Sequence, residues 1–111
     1  MSRAQGSSAE AKARRHLERA GLRYKESNYQ CRLGEIDLIM EDGRTLVFVE
    51  VRSRSDARFG GAAASIDTRK QAKLRRTAEH YLQRLGKLPP CRFDVVAFEG
   101  DTGINWITDA F

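Results

Sequence analysis

Gly34-Glu35-Ile36-Asp37-Leu38-Ile39-Met40, a polar break Glu41-Asp42-Gly43-Arg44, and then Thr45-Leu46-Val47-Phe48-Val49-Glu50-Val51-Arg52 form the stretch on which the fold turns. Both apolar runs alternate with the two-residue period of a strand. The alternation puts Glu35, Asp37 and Ile39 on one face, and Ile36, Leu38 and Met40 on the other. In the second run Val47, Val49 and Val51 share a face, opposite Leu46, Phe48, Glu50 and Arg52. Asp42-Gly43 between the runs is a strong hairpin signal. An antiparallel hairpin around it brings Asp37 and Glu50 together at the end away from the turn. Carboxylates inside a sheet are costly unless paired or holding a metal, and two of them repel without a cation between. Oxygen-only ligands suit a hard divalent cation such as magnesium. Arg52 emerges on the face of Glu50 and adds a fixed positive charge.

The pattern Glu35-Ile36-Asp37, then Glu50-Val51-Arg52, resembles the Asp…Glu-x-Lys core of the PD-(D/E)XK nuclease superfamily. The longer string GEIDLI from Gly34, VFVEVR from Val47, FGGAAAS from Phe59, KQAKL from Lys70 and CRFDVVAF from Cys91 resembles the YraN family of small bacterial proteins. That family is similar to archaeal Holliday junction resolvases. The resemblance runs from about Glu10 to Trp106. It implies an α/β fold with a restriction endonuclease-like core, a mixed β-sheet flanked by helices. It also implies a metal-dependent endonuclease acting on branched or structured DNA, with Mg2+ or Mn2+ as cofactor. Asp37 and Glu50 would be the metal ligands, with the backbone carbonyl of Val51 and with Glu10 from the first helix. Arg52 stands where the superfamily has lysine, and Gln71 at the position of a polar residue that orients the attacking water. Arginine effectively never loses its proton, so a general-base role does not suit Arg52, whereas stabilisation of developing negative charge does.

The 111 residues predict one domain, with residues 1–6 as a disordered leader and 7–111 as the folded unit. At 41% hydrophobic and 32% charged residues, the chain can build a modest core. No apolar run approaches a membrane span, and none at the start resembles a signal peptide, so a cytoplasmic protein without a membrane partner is expected. Cys31 and Cys91 are too few for a disulfide framework or zinc cluster and read as reduced thiols.

Net charge is +5, unevenly spread. Residues 1–30 carry +4, 31–50 carry −3, 51–90 carry +7 and 91–111 carry −3. A nuclease needs this layout, an anionic pocket for metal between cationic surfaces for phosphates, although a solvated helical face also looks basic. Nucleic acid, DNA first, is the partner this suggests. Cutting a two-fold junction adds a possible homodimer.

Ser7 to Ala20 reads as a helix with Ala13, Leu17 and Ala20 on its apolar stripe, ended by Gly21. Glu10 has two accounts: a capping box with Ser7, or an inward carboxylate seven residues before Leu17. Leu22 to Cys31 reads as the first strand, and Arg32-Leu33-Gly34 as a turn. Ser53 to Ser65 reads as a basic, glycine-containing loop whose Arg54 and Arg58 suit substrate contact, or as an ordinary connection. Thr68 to Leu85 reads as a second helix, burying Leu74, Ala78, Tyr81, Leu82 and Leu85. Its Arg69, Lys70 and Lys73 are candidates for phosphate binding. Gln71 either completes a capping box with Thr68 or points at the sheet. Arg92 to Glu99 and Ile104 to Thr108 complete an order α-β-β-β-α-β-β, with Asp94 read as a hydrogen-bonded structural residue. Two other functions fit the same sequence: a non-catalytic nucleic-acid-binding module on the nuclease scaffold, or a protein-interaction domain.

Overall fold

A computed structural model describes residues 2–54, 66–99 and 103–111, with side chains described from 8 to 53, 66 to 98 and 103 to 111. The elements are α1 (Ser2–Arg19), β1 (Arg23–Cys31), β2 (Gly34–Asp42), β3 (Thr45–Arg54), α2 (Thr68–Leu85), β4 (Cys91–Glu99) and β5 (Ile104–Ile107). Their order matches the one read from the sequence. The strands form one mixed sheet in the order β1-β2-β3-β4-β5. All neighbours are antiparallel except β3 and β4, which run parallel. A parallel pair needs a long crossover, and α2 supplies it.

The sheet is covered on both faces. On one, α2 packs Leu74, Ala78 and Tyr81 against Tyr29, Ile36, Ile39, Leu46, Phe48 and Val95. On the other, α1 packs Ala13 and Leu17 against Leu38, Met40, Val47, Val49 and Val96. The faces of β3 are those its alternation predicts. Burial on both sides explains why the central strands are almost continuously apolar.

The β2–β3 turn consists of Gly43-Arg44, because Asp42 and Thr45 still pair. Gly43 alone has positive φ, +61°, the pattern of a II′ turn with glycine first. Gly34 is required for a different reason. A Cβ there would lie 2.7 Å from Thr77 Oγ1, so the β1–β2 turn touches α2 only with glycine at this place. Thr77 is itself fully buried and returns its hydroxyl to the Lys73 carbonyl at 2.9 Å.

Three local expectations are corrected. The first helix begins at Ser2, so residues 2–6 are helical and Ser7 cannot be its N-cap. The capping-box account of Glu10 falls with it. The N-cap of α2 is Asp67, whose carboxylate accepts the Lys70 N–H at 2.9 Å, so Thr68 does not form a capping box with Gln71. Gln71 instead donates its side-chain amide to the Ile66 carbonyl at 3.1 Å. Finally, strict alternation in β2 fails. Ile36 and Ile39, three residues apart, face α2 together, while Leu38 and Met40 face α1. The break falls across the stretch of β2 whose ends, Leu38 and Ile36, pair with Ser27 and Tyr29, and Asn28 between those two residues has φ +55°. A left-handed residue in mid-strand re-aims its neighbours, and asparagine tolerates that backbone better than most.

Candidate functional site

The site lies where β2 and β3 part. Their pairing stops at Leu38 and Val49, and past that point the Asp37 carboxylate replaces the backbone as acceptor. The Val51 N–H donates to Asp37 Oδ2 at 2.8 Å. This bond fixes Asp37 beside β3, at the point where the β2–β3 pairing ends. Glu50, on the α2 face of β3, is only 7% exposed. Arg52 Nε lies 3.1 Å from Glu50 Oε2, and Lys70 Nζ, reaching down from α2, lies 3.7 Å from the same oxygen. Glu10 approaches Asp37 from α1.

The electrostatics are those of an under-neutralised carboxylate cluster. Burial, then the charge of Asp37, push Glu50 up to about 7. Burial likewise holds Asp37 above the ordinary carboxylate value, against the opposing Val51 N–H bond. Glu10 is raised by burial first and by Asp37 second, and the Asn28 side chain works against that rise. The two cations do not complete the balance. Arg52 Nε is close to Glu50, yet its N–H is not aimed at it and has no hydrogen-bond partner among the described residues. A buried donor without an acceptor costs about 1–3 kcal/mol, so this corner favours an incoming oxygen.

No group of three or more His, Cys, Asp or Glu side chains placed to hold a metal occurs among the described residues. That is compatible with magnesium, which is bound through one or two carboxylates and keeps several waters. Two neighbouring carboxylates held protonation-prone by burial, with only oxygen donors, fit such an ion in chemistry and charge.

Of the residues singled out in the sequence, Glu10, Asp37, Glu50, Val51, Arg52 and Lys70 come together. Lys70 arrives through its ion pair with Glu50 rather than as a free phosphate-binding cation. Gln71 is adjacent on the helix, tied to Ile66. Lys73 is not in the cluster, since its side chain runs beside Gly34 at the β1–β2 turn. Arg69 is exposed at the start of α2. The Arg54 side chain, and Arg58 with the rest of the expected substrate loop, lie outside the described residues. Asn28 is a site residue that alternation alone does not find; its signal is an asparagine in mid-strand, where that residue is disfavoured.

The family model described as "Uncharacterised protein family UPF0102" matches residues 9–98. A UPF0102 protein of Nitrosomonas eutropha is 55% identical over 106 residues, covering 96% of this chain and 91% of its own. One from Methylobacillus flagellatus is 56% identical over 108 residues, covering 96% and 95%. One from Nitrosococcus oceani is 53% identical over 114 aligned positions, covering 98% and 92%. The matched region contains every member of the carboxylate cluster, and the chain belongs to family UPF0102, the YraN family.

Proposed function

We propose that this protein is a metal-dependent endonuclease that hydrolyses phosphodiester bonds in branched or structured DNA, with Mg2+ or Mn2+ held by Asp37 and Glu50. The observation that carries this reading is the convergence of half-buried Asp37 and buried Glu50 beside Arg52, whose Nε–H has no acceptor among the described residues. The Val51 backbone carbonyl and water would complete the oxygen set, and Glu10 borders it beside Asp37 without forming a three-acid metal group with the pair. A bound divalent ion supplies charge neutralisation at the phosphoryl oxygens and a more acidic water.

The chain's own residues do the rest. Arg52 presents its unused Nε–H to a non-bridging phosphate oxygen and stabilises the charge that grows there. Lys70 holds Glu50 in place and adds a second positive charge. Gln71, fixed through Ile66, orients a water with its amide oxygen. Arg69 and Lys73 bind flanking phosphates from the exposed part of α2, where their neutralisation makes affinity fall with salt. The two-fold symmetry of a junction would be met by a homodimer.

One observation favours a second reading, a nucleic-acid-binding module that no longer turns over. Arg52 lies against Glu50 where a lysine could have exchanged a proton. Cleavage of labelled DNA with and without magnesium separates the two. The nuclease reading expects metal-dependent cleavage, lost by at least about a hundredfold in Asp37→Asn and in Glu50→Gln with the fold retained. Cleavage unchanged in both variants would defeat it. Salt-sensitive binding without any cleavage would leave the binding module.

A further inference from the structure

A groove of about 360 Å³ lies between α1 and the edge strand β1, on the face of the sheet away from α2. It is not the carboxylate pocket, but the two share a wall. Glu10 borders both, since it lines the groove with Asn28 and lies within reach of the Asp37 charge. Its volume is within the range of about 300–1,000 Å³ common for small-molecule sites. Its lining, however, is polar, with Arg14 and Arg15 balanced by Glu10 and Glu18, unlike that of an apolar ligand pocket.

One wall is a prebuilt stacking platform. The Arg14 guanidinium carbon sits 3.6 Å from the centroid of the Tyr24 ring. Both members are held. Arg14 Nε pairs with Glu18 Oε2 at 3.3 Å, and the Tyr24 hydroxyl shares a hydrogen bond with Ser27 Oγ at 3.0 Å. A guanidinium held over an aromatic ring, with its side chain still 43% exposed, is open to stacking by another planar group at little ordering cost. Ser27 and Asn28, on β1 with Tyr24, keep hydrogen-bonding capacity beyond their contacts to the Tyr24 hydroxyl and to Glu10, suited to the edge of a base.

We propose that this groove is a subsite for one unpaired nucleotide next to the scissile phosphate, its base stacked on Arg14 and its edge met by Ser27 and Asn28. The proposal rests on the nuclease reading and deepens it. Bases inside a duplex already have their faces covered, so the subsite selects nucleic acid with a splayed or single-stranded position beside the cut. That gives a physical reason for preferring branched over continuous duplex substrates.

The test is fluorescence anisotropy in EDTA, where no cleavage occurs. It compares a duplex interrupted by a short single-stranded gap with the same sequence fully paired. Wild type should bind the gapped DNA roughly tenfold more tightly, the worth of one stacked base. Ala11→Trp fills the groove from α1 and should bring the ratio close to one while leaving duplex affinity within about twofold. Should Trp at that position disturb the helix, Arg14→Ala carries the same test, because its lost charge weakens both DNAs but its lost stack weakens only the gapped one. A free nucleoside monophosphate should compete only weakly. Competition at the strand's own affinity would assign a free nucleotide and overturn the proposal. So would a wild-type ratio retained by both variants, or no preference in wild type. In those cases the nuclease reading still stands or falls on cleavage by the Asp37 and Glu50 variants.

Discussion

Glu50 and Asp94 are both buried acids on the two parallel central strands, yet the protein treats them in opposite ways. The register places Asp94 beside Val49 and Glu50 beside Val95, so the acids are one step apart and face opposite layers. Asp94, with no exposed surface, is saturated with donors. Arg92 reaches Oδ1 at 3.0 Å and Oδ2 at 3.2 Å, the Trp106 indole N–H reaches Oδ2 at 2.9 Å, and the Asp109 backbone N–H reaches Oδ1 at 2.9 Å. This cluster ties the end of the chain to the sheet. Glu50 faces another carboxylate, a guanidinium that does not hydrogen-bond to it and a lysine at 3.7 Å. A completed network around one acid and an incomplete one around its neighbour separate a structural carboxylate from one placed for an outside partner.

The strongest way to break that contrast is Asp94→Asn. An amide cannot accept from all those donors and leaves Arg92 with Asp42, at 2.8 Å, as its remaining ionic partner. Loss of one member of a buried pair costs about 3–5 kcal/mol, to be read from urea denaturation. A loss below about 1 kcal/mol would mean that the network is incidental.

Glu50→Gln should do the reverse. Because Glu50 is raised from 4.5 to about 7 in the fold, the folded state holds its proton more tightly than the unfolded chain does. Its favourable contribution is therefore complete below pH about 4.5 and is lost as pH climbs through about 7. The metal-free protein should lose on the order of 3 kcal/mol from this group between pH 4 and pH 8. Glu50→Gln should match wild type at pH 4, exceed it by about 2–3 kcal/mol at pH 8, and flatten that part of the pH profile. Denaturation of both proteins at the two pH values decides it, and a variant less stable than wild type at pH 8 would contradict the assignment.

The smallest effect compares the two arginines. Arg52→Met at pH 5 should change stability by under about 1 kcal/mol, because Arg52 is partly exposed and its Nε–H makes no hydrogen bond to lose. The same change at Arg92 should cost several times more in the same denaturation experiment. Equal costs would place both guanidiniums in structural roles.

The strands were legible because their chemistry is local. Alternation assigned the faces of Val47, Phe48, Val49 and Glu50, and the glycine at 43 marked the hairpin, although the turn itself begins one residue later than Asp42-Gly43 suggested. What escaped was set by contacts distant in sequence. The period of β2 breaks between Ile36 and Leu38 where it pairs with β1, so Ile36 changes layer. Lys70 joins Glu50 only because α2 crosses over that end of the sheet. Asp94 was recognisable as structural, but its donors Trp106 and Asp109 could be identified only once β5 was laid beside β4. At the start of α2, Asp67 and Thr68 are both acceptable caps, and the bond from the Lys70 N–H to the Asp67 carboxylate identifies the one used.

The most direct test is anomalous scattering from crystals soaked in manganese at pH 8, where Glu50 is ionised. The account predicts one strong peak between Asp37 and Glu50, about 2.1 Å from an oxygen of each and absent in the Asp37→Asn protein. Manganese bound only elsewhere on the molecule, with those two carboxylates untouched, would contradict it.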